Sequence, residues 1–222
     1  MTYKSILHRY LEPGETLAEV LFGLIMVLTF TIGADLLTTQ DQLDARGLVV
    51  AAVGCNVAWG IIDAVLFLLN MLFYRSQRAR FYRTLRDATS DTEALAAIQK
   101  EYGFEDEPLA VDPADRARLY QSMLALSAHA KPTHVGLKAR DFVAAFAVFV
   151  LVSATAVPGL IPFLVFDDWQ VALRVSNVVL ISLLFLVGYW WAHYTDARPL
   201  KVALIVLIMG VAMVLVAVAL GG

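Results

Sequence analysis

Residues 54–70 read GCNVAWGIIDAVLFLLN, and apart from two glycines every residue is apolar except Asn56, Asp63 and Asn70. A helix crosses the hydrocarbon of a bilayer in about 20 apolar residues, and the apolar run that contains this stretch, residues 46–74, is long enough to do so. On a helix, residues seven apart share one face. The three polar residues therefore form a stripe, with Trp59, Gly60 and Phe67 beside it. A carboxylate at mid-membrane facing lipid costs on the order of 3 kcal/mol, so the stripe is expected to face a partner helix or a cavity.

Working outward, four further stretches qualify as spans: roughly residues 17–38, 141–166, 169–194 and 199–221. The composition agrees. Of 222 residues, 59% are hydrophobic and 17% charged, and the mean hydropathy of +0.69 lies far from that of a soluble domain. The fold class expected is an all-α integral membrane protein: five transmembrane helices with a helical cytoplasmic insert between the second and third. Residues 1–74 hold the N-terminal segment and spans 1–2, residues 75–140 the insert, and residues 141–222 spans 3–5. The first run is too long for a signal-peptide core and no small-residue cleavage site follows it, so it reads as a retained span. Cys55 is the single cysteine and excludes an intramolecular disulfide.

Eleven of the seventeen basic residues lie between spans 2 and 3, with Arg75, Arg78, Arg80, Arg83, Arg86, Lys138 and Arg140 nearest the membrane ends. The positive-inside rule makes that segment cytoplasmic. Lys4, Arg9, Arg198 and Lys201 then also face the cytoplasm. The turns TTQDQLDA and FDDW face out, which gives an N-in, C-out topology. Within the insert, YRSQRARFYRTLRDA continues the second span as a basic amphipathic helix. SDTEALAAIQKEYG has a Ser/Asp start and a Gly stop. DPADRARLYQSMLALSAHA begins with Asp112 as N-cap and Pro113 at the first helical position. The acidic run Glu101, Glu105, Asp106, Glu107, Asp112 and Asp115 reads either as a cation-collecting mouth or as a solvated loop with helix-start charges. His129 and His134, with no cysteine nearby, do not suggest a zinc site.

The first span carries its own seven-spaced series, Glu19, Met26 and Gly33. Packed antiparallel about a turn near Leu43 and Asp44, the two spans would set Glu19 level with Asn70, Met26 with Asp63 and Gly33 with Asn56. Gly33, Gly54 and Gly60 would let the helices approach. A thioether beside a carboxylate, flanked by amides, describes a cation path; a structural polar seam between two helices has the same pattern. Asp35 and Arg174 occur at similar depth and are expected to pair. In the third span Pro158 and Pro162 remove two amide donors and free the carbonyls of Ala154 and Pro158. Such a break survives in a bilayer only where other groups satisfy those carbonyls.

The layout of two spans, an insert and three more spans, with LFGLIMVLTF, GCNVAWGIIDA, ATAVPGLIPFLV and LFLVGYWWAHYT as the matching stretches, resembles the vacuolar iron transporter family. The resemblance implies a homodimer that exchanges divalent iron or manganese for protons. Met26 falls where that family carries an aspartate, Asn56 where it carries a glutamate, and Ala64 where it carries a methionine. The insert lacks the family's dense glutamate pattern. The expected transport site is Asp63 as central carboxylate, Met26, Asn56 and Asn70 as further metal ligands, and Glu19 at the cytoplasmic mouth. No resident cofactor, nucleic acid or enzymatic activity is expected, since no nucleophile, base and orienting acid converge at one level. The alternative is a membrane scaffold or sensor that no longer transports.

Overall fold

The computed structural model describes residues 13–37, 45–103, 111–129 and 135–221, and every regular element among them is helical. In chain order these are α1 (Pro13–Leu37), α2 (Ala45–Asp87), α3 (Asp91–Glu101), α4 (Pro113–His129), α5 (Ala139–Ala154), α6 (Ala156–Val165), α7 (Trp169–Trp191, followed by a 3-10 turn at Ala192–Tyr194) and α8 (Pro199–Ala219). Five lengths of helix are long and apolar enough to cross a membrane: Pro13–Leu36, Arg46–Asp87, Ala139–Val165, Trp169–Tyr194 and Pro199–Ala219. The protein is a multi-pass membrane protein. Residues 38–44, which hold the turn expected between the first two spans, lie outside the described residues, as do the first twelve with Lys4 and Arg9.

Residues 1–68 and 139–222 form one compact unit, and residues 69–138 form another. The membrane unit is built around α1. Leu24, Val27 and Leu28 of α1 pack with Ala156 of α6, Leu180 and Leu184 of α7, and Val214 and Val218 of α8 in one buried cluster. Burial of each such side chain stabilises the unit by roughly 1.5–3 kcal/mol in aqueous terms, but in lipid the close fit of the helices matters more than the removal of water. The α1 span is 39% buried within the chain and the α2 span only 17%, so α2 lies at the edge and touches the rest chiefly along its polar stripe. There Phe67 packs on Val148 and Val152 of α5.

The third span is broken, as the prolines predict, and the break falls at Thr155, between α5 and α6. The Thr155 N–H turns back to the Val152 carbonyl at 3.2 Å, and its hydroxyl donates to the same oxygen at 2.6 Å. Gly23 of α1 sits directly against this break. A Cβ built on Gly23 would overlap the Thr155 hydroxyl and lie 3.1 Å from the Val152 carbonyl oxygen. Gly60 of α2 is close in the same way, with Phe149 O at 2.9 Å and Ser153 Oγ at 2.8 Å from such a Cβ. Gly54, by contrast, faces open space. Of the glycines expected to bring α1 and α2 together, Gly60 instead brings α2 onto α5, and Gly23, which was not among them, brings α1 onto the break after α5.

In the second unit the helix starts expected from sequence are in place. Ser90 caps α3 by accepting the Glu93 N–H at 3.3 Å, and Glu93 Oε2 accepts the Thr89 N–H and hydroxyl at 2.9 and 2.8 Å, a reciprocal cap of the kind that satisfies orphan helix donors. The Thr89 N–H first, and its hydroxyl second, hold the Glu93 carboxyl below the ordinary glutamate value. Asp112 accepts the Ala114 N–H at 2.8 Å, with Pro113 opening α4. Leu85, Ala94, Ile98 and Tyr120 form this unit's own small core, and the Tyr120 hydroxyl donates to the Tyr102 carbonyl at 3.2 Å. Glu105, Asp106, Glu107 and His134 lie outside the described residues.

Candidate functional site

The candidate site is assembled where α2 meets α1 and α5, and its two ends differ in chemistry. Asn56 is completely buried. Its Nδ2 donates toward the Gly23 carbonyl at 3.3 Å, the Val152 carbonyl at 3.3 Å and Thr155 Oγ1 at 3.0 Å. Three oxygen acceptors around one nitrogen leave no doubt which way the amide points. The Val152 carbonyl beside the break, not one of the two that the prolines were expected to free, thus also accepts from a side chain of another helix. The Asn56 Oδ1 has no hydrogen-bond partner, and neither does Ser153 Oγ, which faces Gly60.

One repeat further along α2, Asp63 is half-buried and its side chain lies within hydrogen-bond reach of the Glu19 side chain on α1. Two carboxyls hydrogen-bond to each other only when one of them carries a proton, because ionised carboxylates are acceptors alone. Glu15 lies one helical turn before Glu19 on the same helix and adds a further negative charge beside it. Its i, i+4 spacing to Glu19 is readable in GETLAEV, although the seven-residue series draws attention elsewhere. Thr155 is the other contributor that the series does not reveal. Its signal is a hydroxyl three residues ahead of Pro158 in SATAVPG.

These contacts correct the expected pairing of levels. Asn56 meets Gly23 rather than Gly33, and Asp63 meets Glu19 rather than Met26. The helices are slipped by about two to three turns from the expected register, because Gly23 is the α1 position that fits against Thr155 and because the amide of Asn56 requires the oxygens gathered there. Met26 is half-buried on α1, three residues beyond Gly23. Asn70 is exposed and belongs to the second unit. Gly23 and Gly33 are both buried within the single chain. Asp35 and Arg174 are both exposed, and no ion pair joins them among the described residues.

Of the five expected ligands, then, the fold joins Glu19 to Asp63 and commits the amide nitrogen of Asn56 to backbone and hydroxyl oxygens. Among the described residues no group of three or more His, Cys, Asp or Glu is close enough to hold a metal ion by itself. What the pair can do chemically is hold one proton between two carboxyls inside an apolar helix bundle and surrender it to a cation.

No curated protein matches the chain. The family model described as the VIT family matches residues 70–222. The matched residues take in the second unit and the last three spans, while Glu19, Met26, Asn56 and Asp63 all precede them.

Proposed function

The chain belongs to the VIT family, and from that premise we propose that it is a membrane metal-ion transporter moving divalent iron or manganese in exchange for protons. The observation that carries the reading is the Glu19–Asp63 contact. When the pair is empty, the shared proton keeps two acids from facing each other as two charges. A divalent cation entering between them replaces that proton, since carboxylates must be deprotonated to ligate metal. Release of the cation on the other side lets a proton return. Exchange follows from the chemistry of the pair without a dedicated proton channel.

Met26 lies seven residues from Glu19, about 10 Å along the helix axis, too far to share that cation. It belongs to a second station near Gly23, where its thioether and the unpartnered Asn56 Oδ1 would favour a borderline transition metal over magnesium or calcium. In this reading residues 75–140 and the N-terminus face the cytoplasm, supported by the arginines that follow the second span. Single cysteines at positions 91 and 168 in a Cys55→Ser background should label from opposite sides of sealed membranes, and labelling from one side only rejects that orientation.

The decisive variant is Asp63→Asn. It keeps shape and hydrogen bonding but cannot exchange a proton for a charge. In liposomes under an imposed pH gradient, wild-type protein should take up iron or manganese with proton movement in the opposite sense, and Asp63→Asn should abolish both while the protein folds normally. A second reading, a membrane scaffold diverged from transport, is favoured by one observation: the family match begins at residue 70, after the spans that hold the carboxyl pair. Transport by Asp63→Asn at the wild-type rate would reject the proposed exchange site. A wild-type protein that moves none of iron, manganese, cobalt or zinc would leave the scaffold reading standing.

A further inference from the structure

Helix α2 has 43 residues, about 64 Å at 1.5 Å per residue, roughly twice the 30 Å of hydrocarbon that a span must cross. About half of it must therefore lie beyond the hydrocarbon. The sequence marks where: after Asp63 no acidic residue occurs until Asp87, and within that interval Phe73 and Tyr74 are followed by Arg75, Arg78, Arg80, Arg83 and Arg86. Phe73 and Tyr74 are 59% and 64% exposed, the placement of aromatic residues that mark a membrane–water boundary. The arginines then rise over about 16 Å, through the headgroup layer and into the first Debye length of solution, about 8 Å at physiological salt.

Two of the five are engaged. Arg75 donates to the Gly136 carbonyl at 2.7 Å, and Arg86 lies 3.6 Å from Asp87. Arg78, Arg80 and Arg83 are exposed and make no ion pair among the described residues. Arg80 and Arg83 are also turned away from the unit's own packing. Phe81 and Leu85 of α2, with Ala88 just beyond its end, pack in the core with α3 and α4; Arg83 is about 160° and Arg80 about 140° around the helix from Leu85, whereas Arg78, seven residues earlier, is exposed on the Leu85 side about two turns before it. The charge of the unit is segregated in the same way. Residues 87–138 carry nine acidic residues against five basic ones, whereas residues 75–86 carry five arginines and no acid.

We propose that Arg78, Arg80 and Arg83 form a docking site for the phosphate groups of anionic phospholipids in the membrane that α2 itself crosses. Guanidinium groups suit this ligand because their planar donors match phosphate oxygens two at a time. The site requires no folding on binding, since the arginines stand on an already formed helix. It is also independent of the Glu19–Asp63 exchange reading, because none of the three arginines belongs to it.

The test uses the full chain in mild detergent, titrated with an equal mixture of phosphatidylglycerol and phosphatidylcholine of the same acyl chains, with retained lipid counted by native mass spectrometry. Wild-type protein should retain phosphatidylglycerol preferentially. A basic residue near an anionic surface contributes about a fivefold factor, so the triple variant R78Q/R80Q/R83Q should bind phosphatidylglycerol roughly a hundredfold more weakly. Phosphatidylcholine retention and helix content should not change, and the triple lysine variant should recover most of the preference. Should the triple variant fail to fold, Arg80→Gln and Arg83→Gln separately should each give about a fivefold loss. Equal retention of the two lipids by wild type, or an undiminished preference in the glutamine variants, overturns the proposal. Displacement of the lipid by inorganic phosphate at matched ionic strength, where chloride has no such effect, would overturn it in favour of a soluble-anion site.

Discussion

Asn56 and Asp63 stand one repeat apart on the same face of the same helix, yet they have been put to opposite uses. Around Asn56 the neighbours are all oxygens, and the residue is a donor tying α1 and α2 to the break in the third span. Around Asp63 the neighbour is another acid, and the contact stands only while a proton is present. What a polar residue does inside a membrane is thus decided by the protonation needs of its partner, and position along a stripe carries little of that information.

The most direct way to break this comparison is to exchange the two side chains' chemistry at constant shape. Asn56→Asp places a carboxylate against the Gly23 carbonyl, the Val152 carbonyl and a Thr155 hydroxyl whose proton is already given to Val152. An uncompensated buried charge costs about 3–5 kcal/mol. The variant should be recovered poorly and unfold well below wild type in a thermal size-exclusion assay, and wild-type stability for it would show that Asn56 is not the clamp. The converse exchange, Asp63→Asn, should change stability by less than about 1 kcal/mol, since an amide still hydrogen-bonds to Glu19. A large loss of stability there would make Asp63 structural as well and erase the contrast.

The smallest effect is expected at the cap of α3, where the same kind of carboxyl contact is made in water. Glu93 is ionised when it accepts the Thr89 N–H and hydroxyl, and its value is lowered in the fold. Its contribution is therefore complete above the ordinary glutamate value of 4.5 and is lost as pH falls through the lowered folded value. Glu93→Gln should remove that acid-side component from the unfolding profile and leave transport unchanged. A profile identical to wild type would mean that the cap adds nothing measurable.

Much of this architecture is legible along the chain. Runs of apolar residues of the right length give five spans because hydrocarbon thickness sets a length that sequence must meet. Ser90, Asp112 and Pro113 start their helices where local chemistry places them, since a cap is satisfied by donors within three residues. Even the site of the break is approached correctly, because a proline lacks its donor wherever it stands. All of these depend on neighbours in sequence.

The seven-residue series on the first two spans is of another kind. It determines which faces of α1 and α2 are polar, and by itself it permits several registers, because sliding one helix by a whole repeat presents the same face again. Only the third span resolves the choice. Gly23 is the place on α1 where Thr155 can be received without a Cβ in the way, and once it is received there Asn56 finds its three acceptors and Asp63 arrives opposite Glu19. The sequence by itself therefore determined the spans, the polar stripe and the helix caps. The tertiary structure decided which acids meet, because that depends on the fit of a glycine against a hydroxyl some 130 residues away, a distance over which periodicity carries no phase.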